Sequence, residues 1–167
     1  PEIVERLSVE LQKEGYHVLI FLAPVASANV DQIVRELMDY QVDGIVLASV
    51  VMSSDLAARC KSIGVPVVLF NRGTDDTSLS SVTTDNRTGG KALADFLCSL
   101  GHRRIAYIAG TQGATTQRDR EAGFVEGLIE AGQELFARAE GNFDHRTAQA
   151  AARSLFATRN RPDAVFV

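Results

Sequence analysis

Val65-Pro66-Val67-Val68-Leu69-Phe70-Asn71-Arg72 is the stretch on which the reading of the fold turns. Pro66 to Phe70 is an uncharged apolar run, and it leaves through a polar Asn-Arg pair. A run that is apolar at every position belongs to a parallel sheet covered by helices. Upstream, residues 54–63 read as a helix, with Ser53 or Ser54 as its cap. Before that helix stands a second short apolar run, Gly44-Ile45-Val46-Leu47-Ala48. Strand, helix and strand joined by short connections predict a doubly wound α/β sheet with right-handed crossovers.

The same rhythm extends in both directions. Ile3, Val4, Leu7 and Leu11 recur at helical spacing, and Gly15 ends that helix. His17-Val18-Leu19-Ile20-Phe21-Leu22 reads as a strand buried on both faces, and residues 30–40 as a helix. Downstream, residues 71–81 form a polar loop, and Ser81-Val82-Thr83-Thr84 a short strand. A helix over residues 86–100 carries an apolar stripe of Gly89, Leu93, Phe96, Leu97 and Leu100, with Gly101 as its stop. Residues 104–109 are a strand, 119–131 a helix, 136–139 a weak strand and 146–157 a helix. A last strand begins at Ala164. Two βα blocks separated by a connecting segment predict two lobes with a cleft between them. Residues 1–85 supply most of an N-terminal lobe, 86–103 the connecting helix and 104–167 part of a C-terminal lobe. The sheets are expected to be incomplete at both ends. A central strand between those near Val18 and Ile45 is expected to be missing, and the chain is expected to stop inside a strand.

Composition narrows the function. The 167 residues carry 17 basic and 21 acidic side chains, a net charge of −4. A domain that gripped DNA by itself would be basic, because phosphate contacts supply most non-specific affinity. Cys60 and Cys98 sit in apolar, helix-like contexts and read as free thiols that pack as small hydrophobes. Neither CxxC nor HxxxH spacing supports a metal, and no apolar run is long enough to span a membrane. Pro1 to Gln12 is amphipathic and interrupted by Glu2, Glu5 and Glu10, unlike a signal peptide. The loop Gly110-Thr111-Gln112-Gly113-Ala114-Thr115-Thr116 lacks both the GxGxxG spacing and a Walker lysine. His17, His102 and His145 are scattered, and no nucleophile, base and acid stand together. The chain is expected to be no enzyme and to need no cofactor.

Four words in order carry a resemblance. They are Val42-Asp43-Gly44-Ile45-Val46-Leu47 and Val65 to Arg72, then Thr84-Asp85-Asn86-Arg87-Thr88-Gly89-Gly90 leading to Leu100-Gly101-His102-Arg103-Arg104-Ile105-Ala106, and last Arg120-Glu121-Ala122-Gly123-Phe124. Together they resemble the effector-binding domain of the lactose-repressor (LacI/GalR) family of bacterial transcription regulators, over nearly the whole chain. The resemblance implies a two-lobed, periplasmic-binding-protein-like fold. It also implies a small effector, a sugar or a purine-like molecule, held between the lobes. In such regulators a separate helix-turn-helix headpiece reads operator DNA, usually in a cytoplasmic homodimer. Nothing in this chain resembles that headpiece, in keeping with the acidic charge. A periplasmic sugar-binding transport receptor of the same fold is the alternative.

Candidate ligand residues follow from the rule that open α/β sheets bind beyond the carboxyl ends of their strands. Arg120, expected in the first turn of its helix, offers planar paired donors to hydroxyls or carboxylates. By its own context it reads first as a solvated or salt-bridged helix arginine; the resemblance makes it an effector ligand. Arg118 and the hydroxyl-rich loop ending at Thr116 are further candidates, the bland alternative being an ordinary βα turn. Asn71 and Arg72 end one strand. The family often has an acid where Asn71 stands, and Arg72 could equally pair with Asp75 or Asp76. Ala48, Ser49 and Val50 end another strand, with Ser49 the polar contributor. Phe143 reads either as a ring that stacks on a sugar face or as a staple before a cap at Asp144. Asp85 and Asn86 read first as helix caps.

Overall fold

The computed structural model describes residues 2–22, 30–49, 53–73 and 79–167, excluding the side chains of 30, 31 and 54. Val50, Asp75 and Asp76 therefore lie outside the described residues. The chain divides into two compact units, Pro1–Val42 and Asp43–Val167.

The first unit holds helices α1 (Glu2–Lys13) and α2 (Val30–Asp39). Gly15 adopts φ +86°, open to a residue without Cβ, and ends α1 where the sequence places the stop. The expected strand over residues 17–22 does not form. A strand exists only through ladder bonds to a neighbour, and the described residues of this unit hold no other strand. Leu19, Ile20 and Leu22 stay exposed instead, and Phe21 meets Tyr40 edge-on with ring centroids 5.7 Å apart.

The second unit carries two parallel sheets. In the first, β1 (Ile45–Ala48), β2 (Val67–Phe70) and β3 (Ser80–Val82) pair in that order, with Ile45 opposite Val67 and Val68 opposite Ser80. Helix α3 (Ser54–Ser62) joins β1 to β2, and Ser53 caps it by accepting from the Leu56 N–H. In the second sheet, β4 (Ile105–Ala109) lies between β5 (Ala137–Glu140) and β6 (Ala164–Phe166). Helices α4 (Asn86–Ser99), α5 (Thr115–Glu130) and α6 (His145–Phe156) complete the unit. The parallel α/β arrangement is the one expected from the sequence. Strand burial is uneven, however. Every residue of β4 is buried, whereas β1 buries Ile45 and Leu47 and exposes Val46.

The core of the second sheet joins Ile105, Tyr107 and Ala109 of β4 to Ala94 of α4 and to Phe124 and Leu128 of α5. Tyr107, Phe124 and Phe166 form an aromatic trio with centroids 4.9 to 5.7 Å apart. The expected stripe on α4 forms in part: Leu93 and Leu97 pack, half-buried, against the core. Gly90 and Ala94 are the buried positions, while Phe96 and Leu100 are exposed. The cause is close helix contact through small residues. A Cβ at Gly123 would overlap the Arg87 carbonyl, and one at Gly127 would lie 2.8 Å from the Ala94 Cβ.

Candidate functional site

The order β5-β4-β6 means that the chain leaves β4 to one side and returns on the other. Such a reversal opens a crevice beyond the carboxyl ends of the strands. A cavity of about 410 Å³ lies there. Gly110 follows β4 into it, Gly141 and Phe143 follow β5, Val167 follows β6, and Gln117 and Arg120 enter from α5.

Arg120 is half-buried in the cavity wall, and its Nη2 donates to the Asn86 Oδ1 at 3.0 Å. Asn86 is held in turn by donating to the Thr84 carbonyl at 3.0 Å. A guanidinium has five N–H donors. Among the described residues the hydrogen-bond partner of this one is a neutral carboxamide. Helix α5 begins at Thr115, four residues before the expected start, so Arg120 stands in the second turn rather than the first. The early start escapes the sequence because Ala114, at the cap position, offers no side-chain acceptor.

Phe143 adopts φ +57° and is more than half exposed, with its ring laid over Gly110. A Cβ at Gly110 would overlap that ring, so any other residue there would push the exposed ring aside. Asp144 then caps α6 by accepting from the Thr147 N–H at 2.8 Å and its hydroxyl at 2.7 Å. The Thr147 hydroxyl and N–H hold the Asp144 carboxyl below its ordinary range. Its neighbour His145 also lines the cavity.

The residues ending β1 and β2 meet each other. Asn71 Nδ2 donates to Ser49 Oγ at 2.9 Å, and both residues are in the left-handed region, at φ +65° and +60°. Arg72 places its guanidinium 6.0 Å from the centre of the Phe143 ring, which spans the two sheets. Beside it, Gly73 N–H donates to Thr115 Oγ1 at 3.0 Å and the same hydroxyl donates to the Gly73 carbonyl at 3.1 Å. Thr116 is buried and does not line the cavity, and Arg118 is exposed on α5. Arg120 and Phe143 thus share one cavity and Arg72 reaches the Phe143 ring. Ser49 and Asn71 form a separate pair.

Gln117 is the cavity residue that sequence reasoning missed. It is almost fully buried; its Oε1 accepts from the Gly110 N–H at 2.9 Å and its Nε2 donates to the Tyr107 hydroxyl at 2.9 Å and to Glu121 at 3.1 Å. Burial would raise the Glu121 carboxyl, but hydrogen bonds from Arg138 on β5 outweigh it and hold the group below its ordinary range. Burial pushes the Tyr107 hydroxyl up. The signal was present: Gln117 shares a helical face with Phe124 and Leu128, seven and eleven residues on.

A family model described as periplasmic binding protein domain matches residues 4–167. The chain belongs to that family. The solved structures it is similar to include LacI transcriptional regulators. It is 31% identical over 168 residues to the HTH-type transcriptional regulator CelR of Thermobifida fusca, covering 98% of this chain and 49% of that protein. The solved CelR–cellobiose complex superposes with a TM-score of 0.83 at 31% identity, over 98% of this chain and 51% of that one. The Cra dual regulator of Pseudomonas putida, solved with fructose 1-phosphate, gives 0.84 at 25% identity, over 98% and 61%. The chain spans about half the length of the curated relatives it matches. Those relatives are transcriptional regulators, not enzymes. Among the described residues, no helix is long and apolar enough to cross a membrane.

Proposed function

We propose that this domain senses a small sugar and passes its presence to a DNA-reading headpiece elsewhere in the protein. The observation that carries the reading is the Arg120–Phe143 pairing in one cavity at the strand-reversal point. A half-buried guanidinium held, among the described residues, by a neutral amide supplies unspent donors, and the Phe143 ring lining the same cavity offers an apolar face to sugar C–H groups. Both CelR and Cra were solved with sugars, and both names denote regulators, which favours regulation over transport. Residues 1–85 and 104–167 then contribute to two lobes joined through 86–103. The regulator acts in the cytoplasm as a homodimer, without turning over its ligand. A sugar shifts such a protein only through its different affinity for two lobe arrangements. The test is operator binding by the full-length regulator across a sugar panel including cellobiose. A sugar-dependent change in affinity is expected, and DNA binding that no sugar alters overturns the reading.

A further inference from the structure

Gln117 makes no use of its polar atoms on the cavity side: each is bonded to protein. The Gly110 N–H can only donate, so the atom facing it, at 2.9 Å, must be the carboxamide oxygen. The Glu121 carboxylate can only accept, so the atom facing it, at 3.1 Å, must be the carboxamide nitrogen. A half-turn of the amide would set donor against donor at one end and acceptor against acceptor at the other. Glu121 is itself fixed by the Arg138 guanidinium, through Nε and, at 3.2 Å, Nη2. One buried carboxamide therefore ties the end of β4 to α5, and through Glu121 to β5. What it fixes matters to the site: Gly110 carries the Phe143 ring directly above it, and Arg120 lies one helical turn beyond Gln117.

We propose that Gln117 is a positioning residue for the ligand cavity, its carboxamide held in a single orientation by the Glu121–Arg138 ion pair. Its effect on ligand rests on the sugar-sensing reading above; its effect on Gly110 does not. In Gln117→Met the side chain keeps its length and loses both hydrogen-bonding atoms. The Gly110 amide then loses its acceptor, and its hydrogen exchange, followed by NMR in the full chain, is expected to accelerate about 10- to 100-fold. Exchange at Ile108, within β4, should stay at the wild-type rate. Cellobiose, as probe, should bind about tenfold more weakly. Gln117→Glu combined with Glu121→Gln restores the acceptor for Gly110 and the bond between the two side chains, giving up the Arg138 Nη2 and Gln112 contacts to the Glu121 Oε2. The carboxylate introduced on one side accepts from Gly110, and the carboxamide introduced on the other donates to that carboxylate while accepting from Arg138. The paired variant should recover slow exchange at Gly110, and it carries the test should the methionine variant not fold. The proposal is overturned if Gly110 exchange is unchanged in Gln117→Met, if Gly110 and Ile108 accelerate together, or if the paired variant exchanges as fast as Gln117→Met. It is overturned equally if cellobiose binds Gln117→Met as it binds the wild type. A wild-type chain that binds no cellobiose counts against the choice of sugar alone, and the exchange measurements still decide the positioning role.

Discussion

Two general effects of replacing a helical glycine by alanine have opposite signs, and the α4–α5 contact separates them. An alanine loses less backbone freedom on folding, which favours it in a helix by about 1 kcal/mol. At Gly89, in the first turns of α4, a Cβ meets nothing within 4 Å, so this gain should appear intact. Gly89→Ala is expected to stabilise by about 1 kcal/mol and to raise the Tm by roughly 2–4 °C. At Gly123 the Cβ would overlap the Arg87 carbonyl, with the Arg87 Cα also 2.9 Å away. Backbone atoms cannot rotate aside, so α5 must withdraw from α4 and loosen Ala94, Phe124 and Leu128, all fully buried. Overpacking of this kind costs about 3 kcal/mol at the upper end of its range. Subtracting the propensity gain leaves Gly123→Ala less stable by about 2 kcal/mol, a Tm lower by roughly 4–8 °C. Thermal and urea denaturation followed by circular dichroism measure both variants. A Gly123→Ala chain as stable as Gly89→Ala would refute the claim that these helices touch through their backbones.

Three further outcomes are expected. Arg120→Ala should weaken sugar binding about 10- to 100-fold by calorimetry, since it removes charge-assisted hydrogen bonds. Its urea midpoint should stay close to wild type; a large loss of stability with intact binding would make Arg120 a structural residue. Thr115→Val keeps shape and removes both bonds to Gly73, destabilising by about 1–2 kcal/mol in urea melts; an unchanged midpoint would mean that this contact between the sheets adds nothing. The Glu121 carboxyl titrates lower in the folded chain than its usual 4.5, so its ion pair adds stability that is fully present above pH 4.5 and is lost as pH falls through the lowered folded value. Glu121→Gln should flatten that acid limb of the stability curve, and an identical limb in both proteins would exclude the pair as its source.

The alternation of strand and helix was legible because burial imposes a period on every element it touches. The boundaries of α3, α4 and α6 agreed to within a residue or two because Ser53, Asp85 and Asp144 are cap residues with acceptors to offer. The start of α5 failed for the converse reason, since Ala114 advertises nothing. Residues 17–22 show a different limit. An apolar run states a preference for the strand, but only a neighbouring ladder can satisfy it. The stripe on α4 held at Leu93 and Leu97 and failed at Phe96 and Leu100, because the closest helix contact is made by the small Gly90 and Ala94, which hydrophobicity does not mark. At the site, their places after strands made Arg120 and Phe143 candidates, but it was the family resemblance that set Arg120 above a salt-bridged helix arginine. Gln117 could not be weighed, because its role depends on where Gly110 and Glu121 come to rest.

Backbone strain gives a separate reason to look at the strand ends. Among the described residues, five non-glycine positions have positive φ, and four of them, Ser49, Asn71, Asn142 and Phe143, lie just beyond the carboxyl ends of β1, β2 and β5. Asn tolerates this region better than most residues, and the Asn71 side chain is further held by its bond to Ser49 at the end of the neighbouring strand. Ser49 and Phe143 have no such ease, and a residue held in a sparsely populated region costs about 1–3 kcal/mol. A glycine would remove the cost at either position. At Phe143 it would also remove the ring that covers Gly110 and faces Arg72. Phe143 is held where glycine would be easier, and its ring lies over Gly110 in the cavity that Arg120 also lines, whereas Ser49 reaches only its Asn71 partner.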